Sequence, residues 1–242
     1  PIPLRLVGSE MCIRDSLSTT LMYSFGSRPD FSIWDEPYYA AYLKQTGLIH
    51  PMRKEILEMG LQDHELVKSA CTAQKEEGKP NIYQKHQTHH MLENFDRSWI
   101  INVTNVFLIR HPARVISSYE KKRENPTLND IGFKQQAEIF DFICQKSDKK
   151  PPVIDSYNIR KNPEKELRKL CAQIELNFDP KMLHWPSGGH KNDGIWASHW
   201  YNSVWNSTGF LPEEGPLPDL SNRMQDLCDQ AIPFYEKMSN QC

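Results

Sequence analysis

The sequence lacks an excess of charge of either sign. Its 242 residues include 29 Lys and Arg and 31 Asp and Glu, which gives a formal net charge of −2. Proteins that bind nucleic acid or an anionic membrane surface through their overall charge present a strongly basic surface. We therefore expect no nucleic-acid partner, and any anion-binding site must be a local feature.

The sequence also lacks a long hydrophobic run. Its longest apolar-leaning stretch, residues 99–109, contains two Asn and one Thr and is much shorter than the ~20 apolar residues of a membrane-spanning helix. We expect no membrane span. The length and the 38% content of hydrophobic residues are typical of a single globular domain with one sizeable core.

No pair of cysteines has the CxxC spacing. Three of the six cysteines, Cys144, Cys171 and Cys228, fall where helical patterns require apolar residues. Buried reduced thiols are therefore expected there, which favours a reducing compartment and a cytoplasmic location.

Short β-type runs alternate with helical patterns along the chain. This alternation favours an α/β fold with a central parallel sheet and helices on both faces. The predicted strands are residues 31–35, 81–85, 106–110 and 153–155, and the main predicted helices are 17–25, 63–77, 113–123, 133–146, a helix that begins after an Asn162 N-cap, and one through residues 224–232.

Each predicted strand ends in polar residues. Parallel strands share one carboxyl edge, which is where open α/β sheets bind ligands. We therefore predict a site at this edge, built from the endings Asp35-Glu36, Lys85-His86, Arg110-His111 and Asp155-Ser156.

The stretch NVFLIRHPARVISSYEKKR, residues 105–123, ends a strand on Arg110 and begins a helix at Pro112. A guanidinium, a helix N-terminus and the hydroxyl of Ser118 together form an anion pocket. The alternative is that Arg110 pairs with an acidic neighbour and that Ser117 and Ser118 are solvated.

Several ordered segments resemble the sulfotransferases that use 3′-phosphoadenosine 5′-phosphosulfate (PAPS), in particular a bacterial-type branch. The arginine of the family's 3′-phosphate motif is followed eight residues later by a serine, as Arg110 is by Ser118. The carrying segments are STTLM at 18–22, GSRPD at 26–30, DEPYYAAYL at 35–43, YQKHQTHHML at 83–92, FLIRHPARVISSY at 107–119, IDSYNIRKNPEKELRKLC at 154–171, MLHWPSGG at 182–189 and DGIWASHWYNSVWNSTGF at 193–210.

The resemblance implies a P-loop-like three-layer fold and transfer of a sulfuryl group from PAPS to the hydroxyl or amine of a small-molecule acceptor, with no metal. Arg110 and Ser118 would bind the 3′-phosphate of the nucleotide. The hydroxyls of Ser18, Thr19 and Thr20, at the start of the first helix, would contact the 5′-phosphosulfate, although by themselves they are equally a plain helix cap. Lys191 matches the family's late basic loop at a looser spacing.

The N-terminal segment departs from the family. The family's first loop carries a turn with Gly and Pro and a basic residue before the Ser-Thr pair, whereas Asp15 stands where the cation should be. The chain begins with Pro1, and VGSEMCIRDS at 7–16 resembles translated sequencing-adapter sequence. We expect residues 1–16 to be non-native, without the family's first strand and loop, and residues 17–242 to form one domain. The alternative is a lineage that has lost the loop and catalysis.

Several residues are candidates for the catalytic base. Glu36 is one candidate, as a glutamate is in some relatives, and a carboxylate at a helix start before Pro37 is the alternative role. Other relatives use the histidine of a Lys-x-His motif, where this chain has Lys85 followed by His86 and Gln87, so His86 or His89 would substitute. His86 and His90 also have the i, i+4 spacing of a zinc site, but no HExxH motif accompanies them.

Two other functions remain open from the sequence. LIRHP at 108–112 is similar to the Leu-x-Arg-His-Gly motif of histidine phosphatases, with Pro112 in place of the glycine. A catalytically dead nucleotide-binding module would keep Arg110 and Ser118 without transfer. The segment 185–218, rich in Gly, Pro, Asn and Trp, is predicted to be an irregular lid.

Overall fold

The structure, a computed structural model, describes residues 17–73, 78–120 and 126–242 and the strand formed by residues 4–8. The strands are β1 (Leu4–Gly8), β2 (Phe31–Asp35), β3 (Asn81–Gln87), β4 (Thr104–Ile109) and β5 (Val153–Asp155). The helices are α1 (Leu17–Gly26), α2 (Tyr39–Thr46), α3 (Arg53–Met59), α4 (His64–Ala73), α5 (Pro112–Glu120), α6 (Leu128–Ile131), α7 (Phe133–Lys146), α8 (Ser156–Lys161), α9 (Pro163–Gln173), α10 (Ala197–Trp200), α11 (Asn202–Trp205) and α12 (Asn222–Ser239).

The five described strands form one parallel sheet in the order β2-β3-β1-β4-β5. The predicted α/β fold with a central parallel sheet is confirmed. β1 pairs with β3 on one side and β4 on the other, at the centre of the sheet. It lies in residues 1–16, which we expected to be non-native and to lack the family's first strand, so this strand was not predicted from the sequence. The origin of that segment, and the single domain at 17–242, stay predictions.

Both faces of the sheet are covered, as the side chains of β4 illustrate. Val106 and Leu108 belong to a hydrophobic cluster with α1 and α9, whereas Phe107 and Ile109 belong to a second cluster with α4 and α7. Successive strand residues point to opposite faces, so an uninterrupted apolar run is typical of a strand buried on both sides. The fold is therefore a three-layer α/β sandwich.

Three strand boundaries differ from the prediction. β4 ends at Ile109, one residue before Arg110, and begins at Thr104 instead of residue 106, because Thr104 and Asn105 already pair with β1. The buried side chain of Asn105 donates to the carbonyls of Ile100 at 2.7 Å and Val103 at 2.9 Å. β3 continues to Gln87, because its last two residues still pair with β1. At the start of β4 and the end of β3, pairing with a neighbouring strand extends the element beyond its apolar residues.

Helix boundaries follow local signals closely. Asn162 caps α9, with its side chain accepting from the backbone N–H of Lys165 at 3.2 Å and Pro163 at the first helical position, as predicted. The helix predicted at 63–77 is described from His64 to Ala73, and residues 74–77 lie outside the described part of the chain. The helix predicted at 113–123 is described from Pro112 to Glu120.

The tryptophan-rich segment is more ordered than predicted. It includes the short helices α10 and α11, and Trp185 and Trp196 are buried in the cluster that contains α1. The carboxylate of Asp193 ties it to α1 by accepting hydrogen bonds from Tyr23 Oη at 2.6 Å and Trp205 Nε1 at 3.0 Å. The tryptophans therefore pack this segment against the helical layer that contains α1.

Three cysteines were predicted to be buried and reduced. Cys171 and Cys228 are buried and Cys144 is half-buried, and no cysteine of the described residues forms a disulfide. Among the helices that the structure describes, none has both the length and the apolar character needed to cross a bilayer.

Candidate active site

The polar strand endings lie at one edge of the sheet, as predicted. Because all the strands are parallel, their carboxyl ends face the same side, and the register places Asp35 beside Lys85 and Ile109 beside Asp155. Arg110 directly follows β4. The endings nevertheless separate into two clusters and two residues with structural roles, each with different neighbours.

The first cluster surrounds Lys85, whose side chain is 1% exposed. Its Nζ donates to Asp35 Oδ1 at 3.1 Å, Glu36 Oε1 at 2.7 Å and Tyr201 Oη at 2.6 Å. All three protons of the ammonium group therefore have acceptors, which is the condition under which a buried charge is tolerated. We call Lys85, Asp35, Glu36 and Tyr201 the lysine cluster.

The electrostatics of the lysine cluster favour one protonated lysine and a basic glutamate. Burial opposes the charge on Lys85, but Asp35 and Glu36 together raise its pKa above the ordinary value. Burial raises the pKa of Glu36 above its ordinary value, against the attraction of Lys85. A carboxylate with a raised pKa is a stronger proton acceptor at neutral pH.

The two carboxylates differ in their partners. Asp35 Oδ2 accepts from Tyr201 Oη at 2.7 Å and from the backbone N–H of Gly194 at 3.2 Å, so both of its oxygens are engaged. Only glycine fits at position 194, because a Cβ there would overlap the Trp196 ring. Glu36 has one oxygen on Lys85, and the second lies near His90, 3.8 Å from Nδ1. Asp35 therefore holds the segment that contains Gly194 and Tyr201 against the sheet. Glu36 is the carboxylate whose second oxygen could accept a proton from a substrate.

Glu36 also has an unusual backbone. Its φ is 42°, in the left-handed region that residues other than glycine rarely adopt. Its N–H donates to the Lys85 carbonyl at 2.9 Å, and its own carbonyl accepts from Tyr39 N at 3.0 Å. Glu36 lies in the turn that precedes α2, and its side chain is directed to Lys85 instead of capping that helix. Local strain held by surrounding contacts is common at functional sites.

The histidines after Lys85 are distributed over different environments. His86 lies on the opposite face of β3 from Lys85, where its Nε2 contacts Gln84 Oε1 at 3.2 Å and its ring lies near Trp99. His89 is buried on the side of Tyr42, with its ring 5.7 Å from the Tyr42 ring. The geometry therefore does not bring His86 to the lysine cluster, and the catalytic roles of both histidines stay predictions.

The second cluster surrounds Arg110, which is 6% exposed. An Nη2 group of Arg110 donates to Glu214, a residue of the segment that precedes α12. Arg114, one turn into α5, also contacts this carboxylate, with Nε 3.3 Å from Glu214 Oε2, and donates to the carbonyl of Gly215. We call Arg110, Arg114 and Glu214 the arginine cluster.

Ser118 lies on α5 after Arg110, as predicted, and is half-buried. Since residues four apart share a helix face, it lies one turn beyond Arg114 on the same side of α5. The sequence alternative of an acidic partner for Arg110 is also realised, by Glu214. Neither Arg114 nor Glu214 was predicted as a site residue, and a carboxylate 104 positions away leaves no local sequence signal.

The remaining predicted nucleotide residues are less closely grouped. Ser18 and Thr19 are buried in the first turn of α1, Thr20 is half-buried, and the loop before them lies outside the described residues. Lys191 is exposed, and its neighbour Asn192 donates to the Ile33 carbonyl at 3.2 Å. β2 and β4 are three strand positions apart, or about 14 Å between backbones. The structure does not bring Lys191 to Arg110, and its role stays a prediction.

Two strand-end residues have structural roles. His111 Nδ1 accepts the backbone N–H of Ala113 at 3.2 Å and so caps α5. Asp155 caps α8 by accepting from Tyr157 N at 2.8 Å, and it also accepts from Tyr235 Oη at 2.8 Å. Within the described ranges, no group of three or more His, Cys, Asp or Glu side chains has the arrangement of a metal site.

A family model described as "Sulfotransferase domain" matches residues 10–242. The chain belongs to the sulfotransferase-domain family. The assignment to this family argues against the histidine-phosphatase function suggested by LIRHP at 108–112. The structural role of His111 as a cap of α5 agrees with the sulfotransferase assignment.

Two curated relatives and two solved structures are similar to this sulfotransferase-domain protein. Branched-chain-amino-acid aminotransferase-like proteins 1 and 2 of Arabidopsis thaliana are 35% and 33% identical over 91% of this chain. The chain spans 39% of the length of these relatives. A sulfotransferase domain from the curacin biosynthetic pathway has a TM-score of 0.51 at 15% identity, with 95% and 97% of the two chains covered. A sulfotransferase from Alicyclobacillus acidocaldarius has a TM-score of 0.57 at 9% identity, with 100% and 97% covered. These two structures share the P-loop-like α/β fold.

Proposed function

We propose that the protein transfers a sulfuryl group from PAPS to the hydroxyl of a small-molecule acceptor. The observation that carries the proposal is the pair of buried cations, Lys85 and Arg110, at the same carboxyl edge of the sheet in a member of the sulfotransferase-domain family. Arg110 offers a charge-assisted site for a phosphate of the nucleotide, and Lys85 holds the candidate base Glu36 at the same ligand-binding edge.

The arginine cluster fits the 3′-phosphate of such a nucleotide. Arg110 and Arg114 already converge on the carboxylate of Glu214, an anion of the size that a phosphate oxygen pair presents. A guanidinium binds phosphate through two parallel hydrogen bonds, and the hydroxyl of Ser118 adds a donor on the same face of α5. In this proposal the nucleotide displaces Glu214 from Arg110.

The lysine cluster supports the chemical step. Glu36 takes the proton of the acceptor hydroxyl while the acceptor oxygen forms a bond to sulfur and the bond from sulfur to the 5′-phosphate oxygen breaks. Lys85 holds Glu36 in place through the 2.7 Å contact and stabilises its charge until the proton arrives. The hydroxyls of Ser18 and Thr19 are proposed to orient the phosphosulfate.

The proposal is tested by two measurements on the same preparation. Calorimetry with 3′,5′-adenosine bisphosphate measures nucleotide binding, and transfer of ³⁵S from labelled PAPS to a panel of alcohols, phenols and amines measures catalysis. We expect binding that is stronger than that of 5′-AMP, and transfer to at least one hydroxyl acceptor. Absence of both would contradict the proposal.

A second candidate is a nucleotide-binding module without transfer. It is favoured by Asp15, an acidic residue where relatives of this family place a cation before the Ser-Thr pair. An aspartate beside a doubly anionic phosphosulfate destabilises both binding of its 5′ end and departure of the phosphate.

Replacing residues 1–16 by a relative's strand and Gly-Pro-Arg-Asn-type loop distinguishes the two candidates. Since such charge and positioning effects are commonly several kcal/mol, we expect turnover of the chain as given to be at least ~100-fold below that of the replaced version. Nucleotide affinity at Arg110 should change much less. Equal turnover would show that the N-terminal segment is sufficient as it stands.

A further inference from the structure

His90 occupies an unusual position beside the lysine cluster. It ends the short 3₁₀ turn that follows β3, and it is 2% exposed. Its ring is stacked between two tyrosines of α2, with centroids 4.6 Å from Tyr39 at an interplanar angle of 9° and 4.6 Å from Tyr42 at 29°. Two stacked rings fix the plane of the imidazole, so its nitrogens have defined directions.

The imidazole of His90 is neutral and its hydrogen-bonding capacity is unused. Burial, followed by the influence of His89 and His50, holds its pKa well below the ordinary value. A neutral imidazole has one N–H donor and one lone pair. Within the described part of the chain, neither ring nitrogen has a hydrogen-bond partner. Buried polar groups without partners are rare in folded proteins, so an unpaired imidazole at a candidate active site calls for a functional explanation.

The second oxygen of Glu36 is a polar group close to His90. His90 Nδ1 lies 3.8 Å from Glu36 Oε2, which is too long for a direct hydrogen bond. A hydroxyl oxygen at about 2.8 Å from each of the two atoms would bridge them, with its proton toward the carboxylate and its lone pair toward the imidazole N–H. The other oxygen of Glu36 is held by Lys85 and cannot turn to fill this gap.

We infer that His90 binds the oxygen of the acceptor's hydroxyl group and presents that hydroxyl to Glu36, and that the acceptor is an uncharged alcohol or phenol. The inference rests on the proposed sulfuryl transfer. His90 donates its Nδ1 proton in a hydrogen bond and keeps that proton throughout. The acceptor's O–H bond breaks toward Glu36 Oε2, the oxygen bonds to sulfur, and the sulfur–oxygen bond to the 5′-phosphate breaks.

The surroundings of His90 agree with an uncharged acceptor. The ring contacts beside it come from Tyr39, Tyr42 and His89, and Trp196 packs edge-on against Tyr39 at 5.0 Å. These aromatic walls offer apolar area and no formal charge. We therefore expect phenols and alcohols to be preferred to acceptors that carry a carboxylate or a phosphate.

The test compares His90→Leu, His90→Asn and the wild type with phenol and 1-butanol as acceptors. The leucine removes the N–H donor, whereas the asparagine Nδ2 can replace the histidine Nδ1. We expect His90→Leu to lower kcat/KM for phenol at least 30-fold and to change the Kd of 3′,5′-adenosine bisphosphate less than 2-fold. His90→Asn should recover kcat/KM to within about 5-fold of the wild type.

His64→Leu is the matched control, because His64 is also stacked on an aromatic ring, that of Phe95 at 4.4 Å, outside both clusters. It should leave kcat/KM unchanged. An equal kcat/KM for His90→Leu and the wild type, or a parallel loss of nucleotide affinity, would overturn the inference while leaving the proposed function intact.

A measurement that does not depend on turnover separates the inference from the proposed function. Proteins labelled with ¹⁵N-histidine are titrated with phenol and with 1-butanol, and the His90 resonances are assigned by their loss in His90→Leu. A shift of these resonances without any sulfuryl transfer would support the His90 site and contradict the proposed function. If neither probe shifts the resonances and neither is sulfated, both proposals fail.

Discussion

The lysine cluster and the arginine cluster lie at the same edge of the sheet but are built differently. Lys85 has three hydrogen-bond acceptors, all on buried side chains, and it is 1% exposed. Arg110 is also buried. Its described carboxylate partner is Glu214, and the residues on either side of Glu214 in the chain, Glu213 and Gly215, are exposed.

The difference indicates which ion pairs are permanent. Removing Glu36 or Asp35 from Lys85 would leave a buried charge without a partner, so the lysine cluster must stay closed. Glu214 can leave Arg110 if another anion replaces it, since the segment that holds it is at the surface. The lysine cluster is thus a preorganised chemical group, and the arginine cluster is an anion site with an exchangeable occupant.

The largest expected effect is that of Lys85→Met, which leaves two buried carboxylates without a cation. We expect a loss of about 3–5 kcal/mol in the free energy of unfolding, measured by urea denaturation. Lys149→Met is the control, because it removes an ion pair with Glu175 whose side chains are 84% and 77% exposed, and it should change stability by less than ~1 kcal/mol. Similar stabilities for the two variants would show that the lysine cluster is not a closed unit.

Glu36→Gln removes the proposed base while retaining the shape of the side chain. We expect kcat to fall by roughly 10²–10⁴, the usual contribution of a positioned general base. Because burial raises the pKa of Glu36 and the base must be ionised, kcat of the wild type should rise with pH through a value above that of an ordinary glutamate. The variant should lack this rise, and Glu175→Gln should keep it. A wild-type profile that is flat down to pH 4 would count against Glu36.

Arg110→Ala tests whether the arginine cluster recognises the 3′-phosphate. Loss of a charge-assisted contact from a partly buried phosphate corresponds to about 2–3 kcal/mol, or some 30- to 150-fold in the Kd of 3′,5′-adenosine bisphosphate. Binding of 5′-AMP should change little, and the control Arg168→Ala should change neither, because Arg168 pairs with Glu164 at the surface. Equal losses of affinity for both nucleotides would show that Arg110 does not recognise the 3′-phosphate.

The smallest expected effect is that of Glu214→Gln, which removes the competing charge from Arg110. We expect 3′,5′-adenosine bisphosphate to bind about 3- to 10-fold more tightly, a change of roughly 1 kcal/mol. The neighbouring Glu213→Gln is the control, because Glu213 is exposed. Weaker binding by Glu214→Gln than by the control would show that Glu214 supports the site instead of occupying it.

The sequence by itself determined the element types and the residues that end the strands. Four of the five described strands, the Asn162 cap and the position of Arg110 between β4 and α5 follow from apolar runs, cap residues and proline, which act over a few neighbouring positions. The ordered motifs led to the family, and the family match agrees. β1 was missed because its segment was set aside as non-native.

The tertiary structure decided the partners of these residues. Tyr201 reaches Lys85 across 116 positions and Glu214 reaches Arg110 across 104, and no local pattern predicts such contacts. It also decided that His90, which the sequence offered only as a possible zinc ligand, lies beside Glu36. The physical reason is that strand alternation and helix periodicity are fixed by covalent geometry, whereas the contacts between distant segments depend on how the layers pack.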